Sequence, residues 1–412
     1  MKCVINDQVV LSRAPEGPLA VHIDSFAKSL SAQGYAQGSI YRQVLLAACL
    51  SRWLKQEGVE LNSINADHPL RYLRYRARRV RPCPGDAAAL GYLIEFLRRE
   101  GVIPAEKVPA RRVPPAQHCA QAYEQHLREA RALASATIAN YLPYVRSFLE
   151  DRFGDRQVTL SRLRACDVVG FVQRQARRLP LRGAKIMTTA LRSFLRYARY
   201  CGEITLDLDA AVPVVANWSM TSIPRAIAAD QVRQLLACVD RRTPTGRRDY
   251  AILLLLARLG LRSGEVALLE LDDIDWNAGQ LRVRGKSGQR SGLPLPAEVG
   301  QAIAAYLQHG RPHSTSRRVF LRAKAPIRGL RGASGIGSIV RHWLERAGVD
   351  APTHGAHQFR HGLASQMLSQ GASLGEIGEL LGHRRPQTTM IYAKVDLNAL
   401  RTLALPWPGG VR

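Results

Sequence analysis

No stretch of this chain approaches the roughly 18 consecutive apolar residues that a helix needs to cross a bilayer. Its richest run, residues 251–257, has only the length of a buried helix segment. The amino terminus lacks a basic start and a continuous apolar centre, with Asp7 and Glu16 set among scattered apolar residues, so no secretory signal is read there. No Cys-x-x-Cys pair occurs among the seven cysteines, at positions 3, 49, 83, 119, 166, 201 and 238. An odd, dispersed set argues against a disulfide framework, and the thiols are read as reduced. These absences together point to a cytoplasmic protein with no membrane role.

Acidic residues are the other shortage, 33 against 59 lysines and arginines, for a formal charge of +26. A neutral small-molecule substrate calls for no such excess, whereas a polyanion does. Nucleic acid is the expected partner. At 412 residues the chain is too long for one ordinary core, and two or three domains are expected.

Two segments in the first half share one theme, a helix that ends in an aromatic-leucine pair: residues 38–54 end in Trp53-Leu54 and residues 136–149 in Phe148-Leu149. In the second, Ile138, Tyr141, Leu142, Val145, Phe148 and Leu149 recur at helical spacing. A further helix carries Met187, Leu191, Phe194, Leu195 and Ala198 on one face and Arg192, Arg196 and Arg199 on another. Residues 71–81 form a dense basic run that includes Arg74 and Arg78. Lysine and arginine on a helix are ordinarily its solvated face, but a solvated face needs no particular sign of charge, so the whole-chain excess points to phosphate contacts. The proline-rich residues 104–115 interrupt helices. The expected division is a helical module at 1–110, a helical unit at 116–206, a linker at 207–224 and a C-terminal domain at 225–412.

In the last of these, Gly260 ends one helix and Glu265 falls in the first turn of the next, which holds Arg262 at a junction. Residues 280–285 and 292–295 alternate like a β-hairpin, with Lys286 near its tip. Gly285-Lys286-Ser287 is not a phosphate loop, because Gln280 stands where that loop requires glycine. The densest constellation is His354-Gly-Ala-His357-Gln-Phe-Arg360-His361, in which His357 and Arg360 stand one helical turn apart. Zinc is a poor fit there: no glutamate follows the first histidine, no cysteine is near, and an arginine sits among the would-be ligands. No metal or cofactor is therefore expected. Ser373 and Glu376 match a capping box, the helix they open closes on Leu380-Leu381-Gly382-His383, and Pro386 suits the first turn of a last helix carrying Tyr392.

With these residues in place, the C-terminal domain resembles the catalytic domain of the tyrosine recombinases, the phage integrase family. Arg262 in Gly-Leu-Arg-x-x-Glu matches the family's first arginine, Lys286 its lysine, His357 and Arg360 its His-x-x-Arg pair, His383 in Leu-Gly-His its second histidine, and Tyr392 its nucleophile. The likeness is strong over residues 227–395 and weaker over 116–203, which is similar to the family's core-binding domain. It implies a mainly α fold: helical N-terminal and core-binding (SAM-like) domains, then a mixed, mostly helical catalytic domain with a small antiparallel β-sheet. Residues 1–110 exceed the two-domain pattern and suggest a second DNA-binding module of the kind transposon-borne members carry.

The implied activity is site-specific cleavage and rejoining of double-stranded DNA through a 3′-phosphotyrosyl intermediate, in the integration, excision or transposition of a mobile element. Arg262 and Arg360 would clamp the non-bridging oxygens, His357 would take the tyrosine's proton, His383 would donate to the phosphate and Lys286 would protonate the leaving oxygen. Glu265 and Asp273 are expected to brace the junction at Arg262. Strand exchange needs two duplexes and four cleavages, so a homotetramer on DNA is expected, with residues 393–412 docking on a neighbouring subunit and sister recombinases or directionality factors as further partners in the nucleoid. A type IB topoisomerase and a non-catalytic DNA-binding regulator are the alternatives; His357 and the helical N-terminal modules argue against the first, the six filled positions against the second.

Overall fold

The computed structural model describes residues 3–5, 9–11, 13–104, 114–215, 224–285, 290–383 and 385–395. Contacts divide the chain into two compact units, Met1–Glu106 with Met220–Arg412, and Lys107–Ser219.

The N-terminal part opens with two short antiparallel strands, β1 (Cys3–Ile5) and β2 (Val9–Leu11). Four helices follow: α1 (Ile23–Ala32), α2 (Gln37–Gln56), α3 (Asp67–Ala77) and α4 (Asp86–Arg99). Ile40, Val44, Ala47, Leu50 and Leu54 make the buried stripe of α2, which packs with Phe26 and Leu30 of α1 and Leu90, Leu93 and Leu97 of α4. This core is separate from that of the C-terminal part. The two parts of the unit meet where the Ile327 N–H donates to the Gln33 carbonyl at 2.9 Å.

The second unit is a bundle of α5 (Pro115–Glu129), α6 (Ser135–Phe153), α7 (Ala165–Ala176) and α8 (Leu181–Tyr200). The apolar positions expected from spacing, Leu142, Val145 and Leu149 on α6 and Met187, Leu191, Phe194 and Leu195 on α8, are buried together with Tyr123 and Phe171.

From residue 229 the first unit continues through α9 (Ala229–Ala237), α10 (Pro244–Arg258) and α11 (Ser263–Leu268). A three-stranded antiparallel sheet follows, β3 (Ile274–Asp275), β4 (Gln280–Arg284) and β5 (Arg290–Pro294). Its hairpin register sets Gln280 opposite Pro294 and Val283 opposite Ser291. Then come α12 (Ala297–His309), α13 (Gly332–Arg346), α14 (His357–Ser369), α15 (Leu374–Leu380) and α16 (Pro386–Thr389). The mainly α fold with a small antiparallel sheet is as expected. Residues 251–256 of α10 are buried all round, which explains why that run reads as apolar without interruption. Beside them Arg248 pairs with Asp249 at 2.7 Å, and the Trp343 indole N–H donates to the same carboxylate at 2.9 Å, so the core's buried charge is met.

Ser373 caps α15 as its sequence implies: its hydroxyl accepts the Glu376 N–H at 3.2 Å and its own N–H donates to Glu376 at 2.7 Å. One local expectation differs. Tyr392 lies not on α16, which ends at Thr389, but on the 3₁₀ turn Met390–Val395 that follows it.

Candidate active site

Arg262 is the residue before α11, and Glu265 sits three positions on. The Glu265 carboxylate accepts the Arg262 backbone N–H at 2.7 Å through one oxygen and the Arg262 guanidinium at 2.6 Å through the other. Backbone and side chain of the arginine are thus fixed by one nearly buried acid.

Arg360 is fixed more deeply. It stands one turn after His357 on α14, is 2 % exposed, and donates to the Gly260 carbonyl at 2.8 Å and to the Leu381 carbonyl. Gly260 has φ +58°, and a Cβ there would come within 2.9 Å of the Leu381 side chain, so both backbone shape and space require glycine. Burial, then the neighbouring Arg262, push the Arg360 guanidinium down to about 10, which leaves it charged at neutral pH.

His383 follows Gly382, whose φ of +59° turns the chain out of α15. Its N–H donates to the Gly378 carbonyl at 2.8 Å and its Nδ1 lies 2.8 Å from the hydroxyl of buried Thr389, leaving Nε2 free of that contact. Arg262, Arg360 and His383 line one open cleft of about 800 Å³, with Arg385 on its rim and Gly285 and Ser291 of the hairpin along one wall. Lys286 lies outside the described residues, although the Gly285 that precedes it lines this cleft.

Tyr392 is 1 % exposed and packs with Ala364, Ile377 and Leu381 rather than lining the cleft. Its hydroxyl meets His361 Nδ1 at 3.0 Å. Burial raises the phenol's pKa, and the charges of Arg360 and Arg262 oppose that rise. His357 is exposed, and its ring abuts that of His361 edge to face at 4.6 Å. Protein packed round the His357 ring, then Arg360 and Arg262, lower its pKa.

Arg262, Arg360, Arg385 and His383 thus meet at one cleft, with His357 and His361 close to Arg360; of the two carboxylates that line it, Glu265 is spent on Arg262 and Glu379 leaves the cationic groups in excess. Such a cleft favours an anion. The same crowding has a cost without one. Burial, then like charge from the arginines and histidines, lowers His361 and His383 from 6.5 to about 4. A histidine with a depressed folded pKa contributes stability that is present above its unfolded value and lost as pH falls toward the folded one. Stability should therefore fall as pH drops from about 6.5 to 4, and His383→Asn should flatten that fall, as followed by thermal melting across the range.

The supporting acids divide. Glu265 braces Arg262 as expected, but Asp273 does not: it accepts the Glu270 N–H at 2.9 Å and faces Arg284 at 3.6 Å, while Glu270 pairs with Arg284 and Arg318. That network ties β4, the strand leading to Lys286, to the turn after α11. The arginines expected to grip phosphate on α8 are also otherwise engaged. Arg192 donates to the carbonyls of Val212 and Pro213, Arg196 pairs with Asp209 at 2.6 Å, and Arg199 with Asp207 at 3.0 Å, so all three hold the segment that follows α8. Asp207 and Asp209 hold Arg196 and Arg199, and two backbone carbonyls hold Arg192, partners that a helical wheel does not register. Arg177, Arg178 and Arg182, from the end of α7 to the start of α8, are exposed, and sequence patterning passed over them. In the N-terminal part Arg74 and Arg78 are exposed, whereas Arg76 of the same run pairs with Asp86 at 2.6 Å.

Among the described residues no group of three or more His, Cys, Asp or Glu side chains could hold a metal ion, and no helix is long and apolar enough to cross a membrane.

A fold of this kind with a cationic cleft beside a tyrosine defines a class, and comparison with known proteins agrees. The profile of the phage integrase family matches residues 225–398, and that of the phage integrase N-terminal SAM-like domain matches residues 120–201. The chain is 62 % identical over 411 residues to the integrase/recombinase y4rA of Sinorhizobium fredii, covering 99 % of each. It is 31 % identical over 307 residues to tyrosine recombinase XerD of Mycobacterium tuberculosis, covering 70 % of this chain and 96 % of that one. Among solved structures, the XerH site-specific recombinase bound to a palindromic difH substrate matches with a TM-score of 0.56 at 17 % identity, over 82 % of this chain and 95 % of that one. The chain belongs to the phage integrase family, the tyrosine recombinases, and its activity is site-specific DNA recombination.

Proposed function

We propose that the cleft formed by Arg262, Arg360 and His383 receives the scissile phosphate of double-stranded DNA and that Tyr392 attacks it. The observation that carries this is the convergence of two braced guanidiniums and an oriented imidazole on a cleft whose lining residue Leu381 belongs to the apolar cluster that holds Tyr392. In-line attack gathers negative charge on the non-bridging oxygens, which the forks of Arg262 and Arg360 meet through paired N–H groups. If the Thr389 hydroxyl donates to Nδ1, His383 carries its proton on Nε2 and offers it to the same oxygens. Lys286, two residues beyond the anchored Arg284, protonates the departing 5′ oxygen, and His357 serves the proton path at the tyrosine. The product is a 3′-phosphotyrosyl enzyme with a free 5′ hydroxyl. Its covalent bond keeps the energy of the broken one, so rejoining needs neither ATP nor metal.

Exchange requires two duplexes, hence a homotetramer on DNA, with sister recombinases or directionality factors choosing the outcome. Residues 393–412 couple the subunits; 396–412 of these lie outside the described residues. The division at 1–110, 116–206, 207–224 and 225–412 serves this use, the first two parts gripping DNA, with Arg74 and Arg78 among the phosphate contacts. The enzyme works in the cytoplasm, on the nucleoid, in the movement of a mobile element; the XerH and Tn1549 integrase structures that share its fold are DNA complexes.

The test incubates the protein with two duplexes carrying the DNA ends that flank its own gene, with EDTA present and ATP absent. Strand exchange between them is expected. Relaxation of supercoiled DNA without exchange would make it a topoisomerase, and binding without cleavage a regulator.

A further inference from the structure

We propose that His361 is a catalytic residue of this enzyme: it holds the Tyr392 hydroxyl through Nδ1 and receives its proton as the phenol oxygen bonds to phosphorus. The proposal rests on Tyr392 being the nucleophile. It replaces His357 in the proton-accepting role, and the reason is geometric. A base must lie within hydrogen-bond reach of the proton it takes. His361 Nδ1 is 3.0 Å from the phenol oxygen, with the two rings edge to face at 5.6 Å. Among the described residues His361 is the hydrogen-bond partner shown for that hydroxyl, while exposed His357 meets the His361 ring edge to face at 4.6 Å. His361 thus contacts both the buried phenol and the exposed His357 ring.

The step balances without any further reagent. The phenol O–H breaks, its proton goes to His361 Nδ1, the oxygen forms the bond to phosphorus, and the bond from phosphorus to the 5′ oxygen breaks as that oxygen takes a proton from the lysine or from water. In rejoining, the 5′ hydroxyl gives its proton to the lysine or to water as its oxygen bonds to phosphorus, the bond from phosphorus to the tyrosyl oxygen breaks, and that oxygen takes back the proton held by His361.

The charged and titratable neighbours of His361 are His357 and Arg360 on its own helix, Tyr392 on the 3₁₀ turn and His383 beyond α15. In the DNA-free cleft, burial and the charges of His357 and Arg360 keep the imidazole neutral. That is the form that accepts a hydrogen bond, and it is too weak a base to ionise a buried phenol. A phosphodiester anion drawn in by Arg262 and Arg360 offsets their charge and restores basicity to the ring. The nucleophile is thereby kept protonated until a phosphate is present.

Two variants separate proton acceptance from simple docking. His361→Asn sets an amide oxygen near the place of Nδ1, an acceptor without basicity, and His361→Leu removes both. The measurement is the single-turnover rate of covalent adduct formation on a nicked suicide substrate, once with the normal 5′ oxygen and once with sulfur in the 5′ bridging position, whose departure needs no proton. Binding and melting of each variant are checked alongside. Both variants are expected to bind DNA and to lose about 10²- to 10⁴-fold in adduct rate, the range of general base catalysis, with no recovery on the sulfur substrate. Cleavage by His361→Asn at close to the wild-type rate would overturn the proposal, as would recovery of either variant by sulfur, or an unrecovered loss in His357→Asn that His361→Asn does not share. An adduct that survives Tyr392→Phe would instead strike at the nucleophile itself.

Discussion

Tyr392→Phe should bind its DNA site with unchanged affinity and form no covalent complex at all. The substitution keeps the ring that fills the space between Ala364, Ile377 and Leu381 and removes only the oxygen. What is lost structurally is one hydrogen bond to His361, worth about 1 kcal/mol, so the protein stays folded. What is lost chemically is the atom that joins phosphorus, for which neither the arginines nor the histidines can substitute. The pair of results matters: gel-shift affinity held, and adduct on a nicked substrate absent. A variant that still traps DNA covalently would move the nucleophile elsewhere.

Arg360→Ala and Arg360→Lys should both reduce cleavage by about 10²- to 10³-fold or more, the cost of removing an oxyanion donor from a preorganised site. Lysine is not a rescue here. Arg360 spans two carbonyls, Gly260 and Leu381, while presenting charge beside Arg262, and a single ammonium cannot satisfy both and still face a phosphate. Leaving those buried carbonyls unmet adds a stability loss of about 1–3 kcal/mol, visible as a lower melting temperature. Arg262→Lys offers the contrast. Its side chain is 36 % exposed and is held by Glu265, so its rate should fall with far less change in melting. Measuring rates well below the melting temperature of each variant separates the two effects.

The fold was legible wherever local pattern and tertiary demand coincide. The stripe from Met187 to Ala198 is buried as its spacing implies, the hairpin pairs as its alternation implies, and the Ser373–Glu376 cap forms. The resemblance to the tyrosine recombinases, rather than spacing, assigned Arg262, Arg360 and His383 to one site, and the three line one cleft. What spacing could not carry is the identity of long-range partners. Arg192, Arg196 and Arg199 share a helix face with or without the segment that satisfies them, and Asp273 stands near the first arginine in the chain but beside Arg284 in space. His361 was in plain sight next to Arg360, yet its meaning comes from a hydroxyl 31 positions away. Thr389 is similar: only the turn after Gly382 brings its hydroxyl to His383.

The most direct measurement is the site of covalent attachment. After trapping on a nicked duplex, nuclease trimming and proteolysis, mass spectrometry should find the nucleotide remnant on the peptide containing Tyr392, linked to that phenol through a 3′ phosphate, with the released strand ending in a 5′ hydroxyl. A remnant on any other side chain, or a 5′ phosphate linkage to the tyrosine, would contradict the assignment of this cleft.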